Sequence, residues 1–179
     1  MNLYVIRHGE VDLNVKKLLN GRNDSFLTEN GIKQAKRASK EIKNTDIELV
    51  ICSPLKRTKQ TCEIINANKI PMIYDNRLLE RNTNSLMYKS DSIVDKYVFY
   101  NCKNTIIYGD CEGFGSILER IKSFIEDIKL KYENKNILIV SHLDVCKAIY
   151  SYIENIYDTQ KIIDFKQDNC EIKKYKIKI

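Results

Sequence analysis

Apolar residues in this chain follow two patterns that alternate along the sequence. Short continuous apolar runs predict buried strands at about 2–6, 47–52, 70–74 and 136–140. Between these runs apolar residues recur every three or four positions, which predicts helices at about 29–42, 53–65, 114–132 and 143–153. Two further strands are predicted at about 161–165 and 170–177, close enough in sequence to pair as a hairpin.

This order of elements predicts an α/β protein. Continuous apolar strands between helices favour a mostly parallel central sheet covered on both faces, which is a three-layer α/β/α sandwich. We expect residues 1–179 to form a single domain, with a short irregular insertion at about 82–112 acting as a cap. The lysines of the segment CEIKKYKIKI alternate with apolar residues, as on the solvent face of an edge strand.

Polar residues follow three of the predicted strands. Arg7 and His8 end the first, Ser53 follows the second, and His142 ends the strand at 136–140. Ligands of open α/β sheets bind beyond the carboxyl ends of the strands, so these side chains are expected to meet there. Ser53 and Pro54 are interpreted as the cap and first turn of a helix that carries Arg57.

The chain has only two histidines, and both occupy these strand ends. An arginine beside an imidazole disfavours a metal and suits an anion, which a guanidinium can hold through two hydrogen bonds. Two arginines, two histidines and a helix N-terminus therefore predict a phosphate site. Without its position just after a strand end, Arg57 would be interpreted as an ordinary surface residue.

The composition limits the classes of protein to which this chain can belong. Hydrophobic residues make up 43% and charged residues 30%, as in ordinary globular proteins, and no apolar run is long enough to span a bilayer. Arg7 and Glu10 interrupt the first apolar run too early for a secretory signal, so a cytoplasmic protein is expected. The six cysteines form no CxxC pair, and neither a metal nor a cofactor is predicted.

A net charge of +6 favours anionic partners, but no nucleic-acid motif or membrane segment accompanies it. A small phosphorylated substrate is the expected partner. Neither nucleic acid nor membrane is expected as a partner, and oligomeric state is not readable from the sequence.

Several segments together resemble the histidine phosphatase superfamily, the family of cofactor-dependent phosphoglycerate mutases and their phosphatase relatives. The segments are RHGE at 7–10, Asn14, LTENGIKQA at 27–35, SPLKRTKQT at 53–61, LLER at 78–81 and IVSH at 139–142. Their order and spacing match from residue 3 to about 150. The resemblance implies a phosphoglycerate mutase-like fold and phosphomonoester hydrolysis through a phosphohistidine.

The resemblance also implies roles for individual residues. His8 would be the nucleophile, and Arg7, Arg57 and His142 would carry the charge of the transferring group. Glu80 would be the general acid and then the base that activates water, whereas Glu10 is expected to be structural.

The remaining substrate contacts implied by the resemblance come from two loops. Asn14 would donate one more hydrogen bond, and Asn20 and Gly21 would border the substrate. Arg22 either reaches a second anionic group or is a solvated arginine.

Two departures from the family pattern concern backbone conformation. Glycine commonly follows the late histidine in relatives, but this chain has Leu143 and then Asp144. Leucine fits only if the backbone there is not left-handed. Asn84 and Tyr88 stand where relatives have glycines after Glu80, and Tyr88 is the more strained replacement. Tyr88 and Tyr100 are weak candidates for substrate contacts.

Three functions remain open at this level. The first is a phosphomonoesterase, favoured because the compact cap is poorly suited to holding a transferred phosphate away from water. The second is a phosphoglycerate mutase. The third is a weakly active or degenerate member that binds phosphate esters. Candidate substrates are phosphoglycerates, sugar phosphates, an α-ribazole-type phosphate and phosphorylated protein.

Overall fold

The computed structural model describes residues 1–66 and 69–177. The strands are β1 (Asn2–Arg7), β2 (Leu49–Cys52), β3 (Met72–Tyr74), β4 (Ile106–Ile107), β5 (Cys111–Glu112), β6 (Asn136–Ser141) and β7 (Ile172–Lys176). The helices are α1 (Asp12–Val15), α2 (Glu29–Ile42), α3 (Lys56–Ile65), α4 (Lys96–Phe99), α5 (Phe114–Lys131), α6 (Leu143–Ile153) and α7 (Thr159–Asp164). Within the described ranges, each helix is too short or too polar to span a lipid bilayer.

The central sheet has the strand order β3-β2-β6-β1-β7. Strands β3, β2, β6 and β1 are parallel to one another, and β7 runs antiparallel to β1. Ile139 of β6 lies between Val5 of β1 and Ile51 of β2, at the centre of the sheet. The carboxyl ends of β1, β2 and β6 therefore lie side by side, as the sequence predicts.

Alternate residues of these strands fill two cores, one on each face of the sheet. On one face Val5, Ile51 and Ile139 pack with buried residues of α5 and α6. On the other face Ile6, Val50 and Val140 pack with buried residues of α2 and α3. Strands buried on both faces explain the continuous apolar runs, and the three-layer α/β/α sandwich with a mostly parallel sheet is confirmed.

Helix α2 shows how the sequence sets an element's limits. Thr28 caps the helix, since its hydroxyl accepts a hydrogen bond from the Gly31 backbone N–H at 3.0 Å. Ala35, Ala38 and Ile42 then repeat at helical spacing and are buried against the sheet. The predicted bounds, 29–42, are those observed.

Two sequence predictions about element boundaries are wrong. Residues 161–165 form no strand, because Asp158 caps α7 by accepting a hydrogen bond from Lys161 N at 2.9 Å. The expected hairpin is absent from the described residues, and β7 pairs with β1 instead. Helix α3 begins at Lys56, so Ser53 does not cap it and is free for another role. The edge position of lysine-rich β7 is as expected.

Residues 82–112 cover the carboxyl end of the sheet with short elements. They contain two single 3₁₀ turns, helix α4 and the β4–β5 hairpin. The two residues that replace family glycines have positive φ values, 40° at Asn84 and 66° at Tyr88. The left-handed geometry is therefore kept, and at Tyr88 a bulky residue adopts it.

Candidate active site

His8, Ser53 and His142 meet at the carboxyl ends of β1, β2 and β6. The strand pairing continues past the strands, with His8 N donating to Ser141 O at 2.9 Å and Ser53 N donating to Val140 O at 3.0 Å. The two imidazole rings meet edge to face with their centres 5.2 Å apart. The sheet register thus brings together residues that lie far apart in the sequence.

Gly9 allows this part of the chain to approach helix α2 closely. A Cβ atom at position 9 would lie 2.6 Å from the Gly31 carbonyl oxygen, and one at position 31 would lie 2.2 Å from the Glu10 carbonyl oxygen. Both glycines are therefore needed for the two backbones to pass. Gly9 N also donates to Thr61 Oγ1 of α3 at 3.1 Å, which fixes the loop that follows His8.

The hydrogen bonds of His8 define its tautomer. Its Nδ1 lies 2.7 Å from the Gly9 carbonyl oxygen, which carries no proton, so Nδ1 must be the protonated nitrogen. Nε2 then presents a lone pair, which accepts a hydrogen bond from Arg57 Nε at 3.2 Å. Burial, followed by the charges of Arg57 and Arg7, holds the pKa of His8 well below its ordinary value. His8 is therefore a neutral imidazole with an available lone pair at neutral pH.

His142 is fully buried and joins the site through two partners. Its Nδ1 accepts from Arg57 Nε at 3.2 Å, and its Nε2 lies 2.8 Å from Ser53 Oγ. Because Nδ1 is the acceptor, Nε2 carries the proton and donates to Ser53. Burial and the Arg57 charge hold the pKa of His142 well below its ordinary value. The sequence predicts Ser53 at this strand end but gives it only a capping role, because Ser-Pro before a helix is typical of a cap.

Arg57 is fully buried between the two imidazoles and the loop that carries Gly21. Its Nη1 donates to Asn23 O at 2.6 Å and its Nη2 to Gly21 O at 2.8 Å. Burial lowers the pKa of Arg57 to about 10, which still leaves the guanidinium charged at neutral pH. Arg57 is not a surface residue, and the phosphate-site interpretation of its placement is favoured.

A cavity of about 210 Å³ opens over His8 and Arg57. The predicted site residues that line it are Arg7, His8, Asn14, Asn20, Gly21, Arg57 and Glu80. Arg7 Nη1 donates to Gln167 O at 3.1 Å, whereas its buried Nε has no hydrogen-bond partner in the described structure. Asn20 Nδ2 donates to Ser25 Oγ at 3.0 Å, which orders the loop at the cavity wall.

Glu80 lies on the cavity wall after β3. Its Oε1 accepts a hydrogen bond from Arg81 N at 2.8 Å, which fixes the direction of the carboxyl group. Burial and the nearby Asp144 charge raise the pKa of Glu80 to about 7, against the opposing effect of Arg57. A carboxyl group with this pKa is present in both protonation states near neutral pH, as a group that gives and then takes a proton must be.

Three further residues considered from the sequence, Glu10, Arg22 and Leu143, lie around the site. Glu10 accepts hydrogen bonds from Thr28 Oγ1 at 2.7 Å and Asn30 Nδ2 at 3.1 Å, so its role is structural as predicted. Arg22 pairs with Glu112 at 3.3 Å and donates to Glu80 O at 3.0 Å, so it braces the acid loop. Leu143 is the first residue of α6 and needs no left-handed backbone.

Metal ligation is not suggested by the side-chain arrangement. In residues 1–66 and 69–177, no three His, Cys, Asp or Glu side chains cluster as metal ligands would. The charged groups over His8 are arginines, whose fixed positive charge serves an anion. The geometry instead offers a neutral imidazole nitrogen, buried guanidinium groups and a carboxyl group of raised pKa around one small cavity.

Comparison with known proteins agrees with this geometry. The sequence profile of the histidine phosphatase superfamily (branch 1) matches residues 3–178. The chain therefore belongs to that superfamily.

Individual relatives match most of the chain. Phosphoserine phosphatase 1 of Hydrogenobacter thermophilus is 27% identical over 95% of this chain and 83% of its own length. Probable phosphoglycerate mutase GpmB of Escherichia coli O1:K1 is 29% identical over 79% of this chain and 69% of its own length. The solved structure of Bacillus stearothermophilus YhfR superposes with a TM-score of 0.87, at 22% identity, over 99% of this chain and 91% of that one.

The superfamily match and these relatives make the chain an enzyme of the phosphatase type. They confirm the fold class, the family and the enzyme class predicted from the sequence. They also support hydrolysis of phosphomonoesters more strongly than mutase activity, because the phosphatase relative is matched over more of both chains.

Proposed function

We propose that this protein hydrolyses small phosphomonoesters in two steps through a phosphohistidine at His8. The observation that carries the proposal is the lone pair of His8 Nε2, held 3.2 Å from the Arg57 guanidinium within a cavity that Glu80 also lines. A neutral imidazole is a competent nucleophile, and the adjacent cation is suited to the negative oxygens of a phosphoryl group.

In the first step, Nε2 of His8 forms a bond to phosphorus while the bond from phosphorus to the ester oxygen breaks. Protonated Glu80 gives its proton to the departing oxygen, so the alcohol leaves neutral. The proton on His8 Nδ1 stays shared with the Gly9 carbonyl, which supports the positive charge that develops on the ring. Arg7, Arg57 and Asn14 are assigned to the phosphoryl oxygens.

In the second step, the Glu80 carboxylate takes a proton from water as the water oxygen bonds to phosphorus. The phosphorus–nitrogen bond breaks, inorganic phosphate leaves, and Glu80 is again protonated. The resemblance implies that His142 contacts the transferring group directly, but His142 is fully buried and is not among the residues that line the cavity. His142 and Ser53 are therefore assigned to holding Arg57 and the charge distribution around His8 during both steps, given the 3.2 Å contact of His142 with Arg57 and its 2.8 Å contact with Ser53.

The alcohol part of the substrate is proposed to carry a second negative charge. Besides Arg7 and Arg57, the cavity is lined by Lys17 and Lys96, and no carboxylate in the described ranges is within ion-pairing distance of either lysine. The acids on the wall are Asp91, Glu80, which enters the reaction protonated, and Asp144, which is paired with Arg81. A phosphorylated hydroxy acid or amino acid has the required charge.

The proposal also includes the domain organisation of the chain and the cellular compartment in which it acts. Residues 82–112 are taken as the cap of a single domain, because they contribute Thr83, Lys96 and Tyr100 to the cavity wall. All six cysteines are unpaired thiols, which supports action in a reducing compartment such as the cytoplasm.

The decisive experiment measures phosphate release from 4-nitrophenyl phosphate by wild type and His8→Ala. Wild type should turn over and trap a phosphorylated protein when quenched in base, and His8→Ala should lose both properties. Equal release by the two proteins would refute the proposal. Phosphoglycerate isomerisation that is stimulated by bisphosphoglycerate and outruns phosphate release would favour the mutase alternative.

A further inference from the structure

Arg81, next to the proposed acid, is a fully buried arginine that sequence analysis did not single out. Only 1% of its surface is exposed. Its Nη1 donates to the carbonyl oxygens of Phe99 and Glu112, both at 3.0 Å, and its guanidinium lies 3.7 Å from the centre of the Phe99 ring. Arg81 therefore ties the loop that carries Glu80 to the cap.

Asp144 supplies the charge that this guanidinium needs. Arg81 Nε lies 2.6 Å from Asp144 Oδ2, and Tyr100 Oη donates to Asp144 Oδ1 at 3.1 Å. Burial alone would raise the pKa of Asp144, but Arg81, Lys147 and Tyr100 outweigh it and the pKa lies below its ordinary value. Asp144 is thus a buried, ionised carboxylate at the first turn of α6, two residues after His142.

The pair lies on the wall of the same cavity as Glu80. Two carboxyl groups that share a low-dielectric wall cannot both ionise cheaply, so the one with the ion pair keeps its charge and the other takes the proton. Among the described residues, Asp144 has an ion-pair partner and Glu80 has none. The backbone N–H that Glu80 accepts from also belongs to Arg81, so the same residue aims the carboxyl group.

We propose that Arg81 and Asp144 form a buried charge pair that positions Glu80 and keeps it protonated when the alcohol leaves. The proposal rests on the proposed function, in which Glu80 is the proton donor. Arg81 and Asp144 are positioning residues, since they act on the substrate through Glu80. The aspartate that departs from the family pattern thus takes part in the chemistry.

Other charges also act on Glu80 and must be considered. The charged and titratable groups around it are Arg57 from α3 with His142 behind it, Arg7 and His8 from the end of β1, Asp144 from α6, Lys17 and Arg22 from the loops after α1, Asp91, Lys96 and Tyr100 from the cap, and Arg81 beside it. The two imidazoles are neutral at neutral pH and Tyr100 is un-ionised, because burial depresses the histidine pKa values and raises that of Tyr100. Of the two carboxylates in this set, Asp144 is the one whose charge raises the pKa of Glu80 and so favours its protonated form.

The test compares kcat/KM against pH for two esters. Glycerol 2-phosphate has an alkoxide leaving group that needs a proton, whereas 4-nitrophenolate leaves without one. Asp144→Asn removes a negative charge and keeps the shape, so the falling alkaline limb for glycerol 2-phosphate should move about one pH unit towards acid. Arg81→Met removes the ion pair that keeps Asp144 charged, so Asp144 takes the proton in place of Glu80 and that limb should also move towards acid.

Acid shifts of the glycerol 2-phosphate limb in both variants, with little change for 4-nitrophenyl phosphate, are the result that a purely structural role would not produce. The matched control is Asp46→Asn, an exposed aspartate before the amino end of β2, which should leave the limb in place. The limb for 4-nitrophenyl phosphate should move much less in every variant. If one of the two variants does not fold, the direction of shift in the other still decides.

Unchanged limbs in both variants, or an equal fall in activity with both esters at every pH, would overturn the inference. A wild type that hydrolyses neither ester, or that matches His8→Ala, would overturn the proposed function instead. The two failures are therefore distinguishable in one set of measurements.

Discussion

Replacing Glu80 by glutamine should make the folded protein more stable at alkaline pH while it removes the proton donor. The pKa of Glu80 is about 7 in the folded protein and 4.5 in an exposed glutamate. The folded state thus binds this proton more tightly than the unfolded chain does. The stability that protonation supplies is complete below about pH 4.5 and is lost as the pH rises towards 7.

The magnitude follows from the same two values. A difference of about 2.5 in pKa, at about 1.4 kcal/mol for each unit of pH, corresponds to about 3 to 4 kcal/mol for a fully buried group. Glu80 is partly exposed to the cavity, and water there screens part of this cost, so about 2 kcal/mol is expected. Glutamine keeps the Oε1 acceptor that faces Arg81 N at 2.8 Å, so little else changes.

The assay is urea unfolding of wild type and Glu80→Gln between pH 4.5 and 8.5. The free energies of unfolding should coincide at pH 4.5 and diverge to about 2 kcal/mol in favour of the variant above pH 7.5. Glu133→Gln, at an exposed glutamate, should track wild type throughout. A constant difference between Glu80→Gln and wild type across this range would refute the reasoning, since it would mean that Glu80 does not titrate with a raised pKa.

Three further substitutions test particular contacts. Ser53→Ala removes the acceptor for His142 Nε2 and should lower the free energy of unfolding by about 1–3 kcal/mol, with a lower kcat/KM for 4-nitrophenyl phosphate. Gly21→Ala places a Cβ 2.2 Å from Thr83 Oγ1 at φ 53° and should reduce kcat/KM by about 10–100-fold, because it displaces a carbonyl that holds the site arginine. Phe124→Ala, at a fully buried ring far from the chemistry, should cost about 3–5 kcal/mol in urea unfolding and leave kcat largely intact.

The sequence predicts most of the helices and strands because the apolar runs of the strands and the helical spacing of apolar residues are strong in those segments. Helix α2 has a threonine cap and regularly spaced apolar residues, and its bounds are as predicted. The prediction of a strand at 161–165 is wrong because Ile162, Ile163 and Phe165 fit a strand as well as a short helix. The cap residue Asp158 was the overlooked signal for the helix. The partner of β7 is a long-range pairing, which local pattern does not encode.

For the site, residues with distinctive chemistry at strand ends could be found in advance. His8, Arg57 and His142 converge as the sequence predicts, and their assigned roles stay predictions for experiment. The pairing of Arg81 with Asp144 was not predicted, because nothing in the sequence shows that residues 63 positions apart form a buried pair. The aspartate was noted as a departure from the family pattern, but its place in an otherwise apolar first turn of α6 was the signal that it is buried and needs a partner.

The position of β1 between β6 and β7 has a consequence for how the protein is made. Arg7 and His8 are synthesised early, but β1 pairs with β6 and β7, which come more than 130 residues later. Gln167 holds Arg7 and Asn169 donates to the His8 carbonyl at 2.8 Å, so these contacts also wait. A nascent chain on the ribosome is thus expected to show no activity towards phosphate esters until residues beyond 170 have emerged.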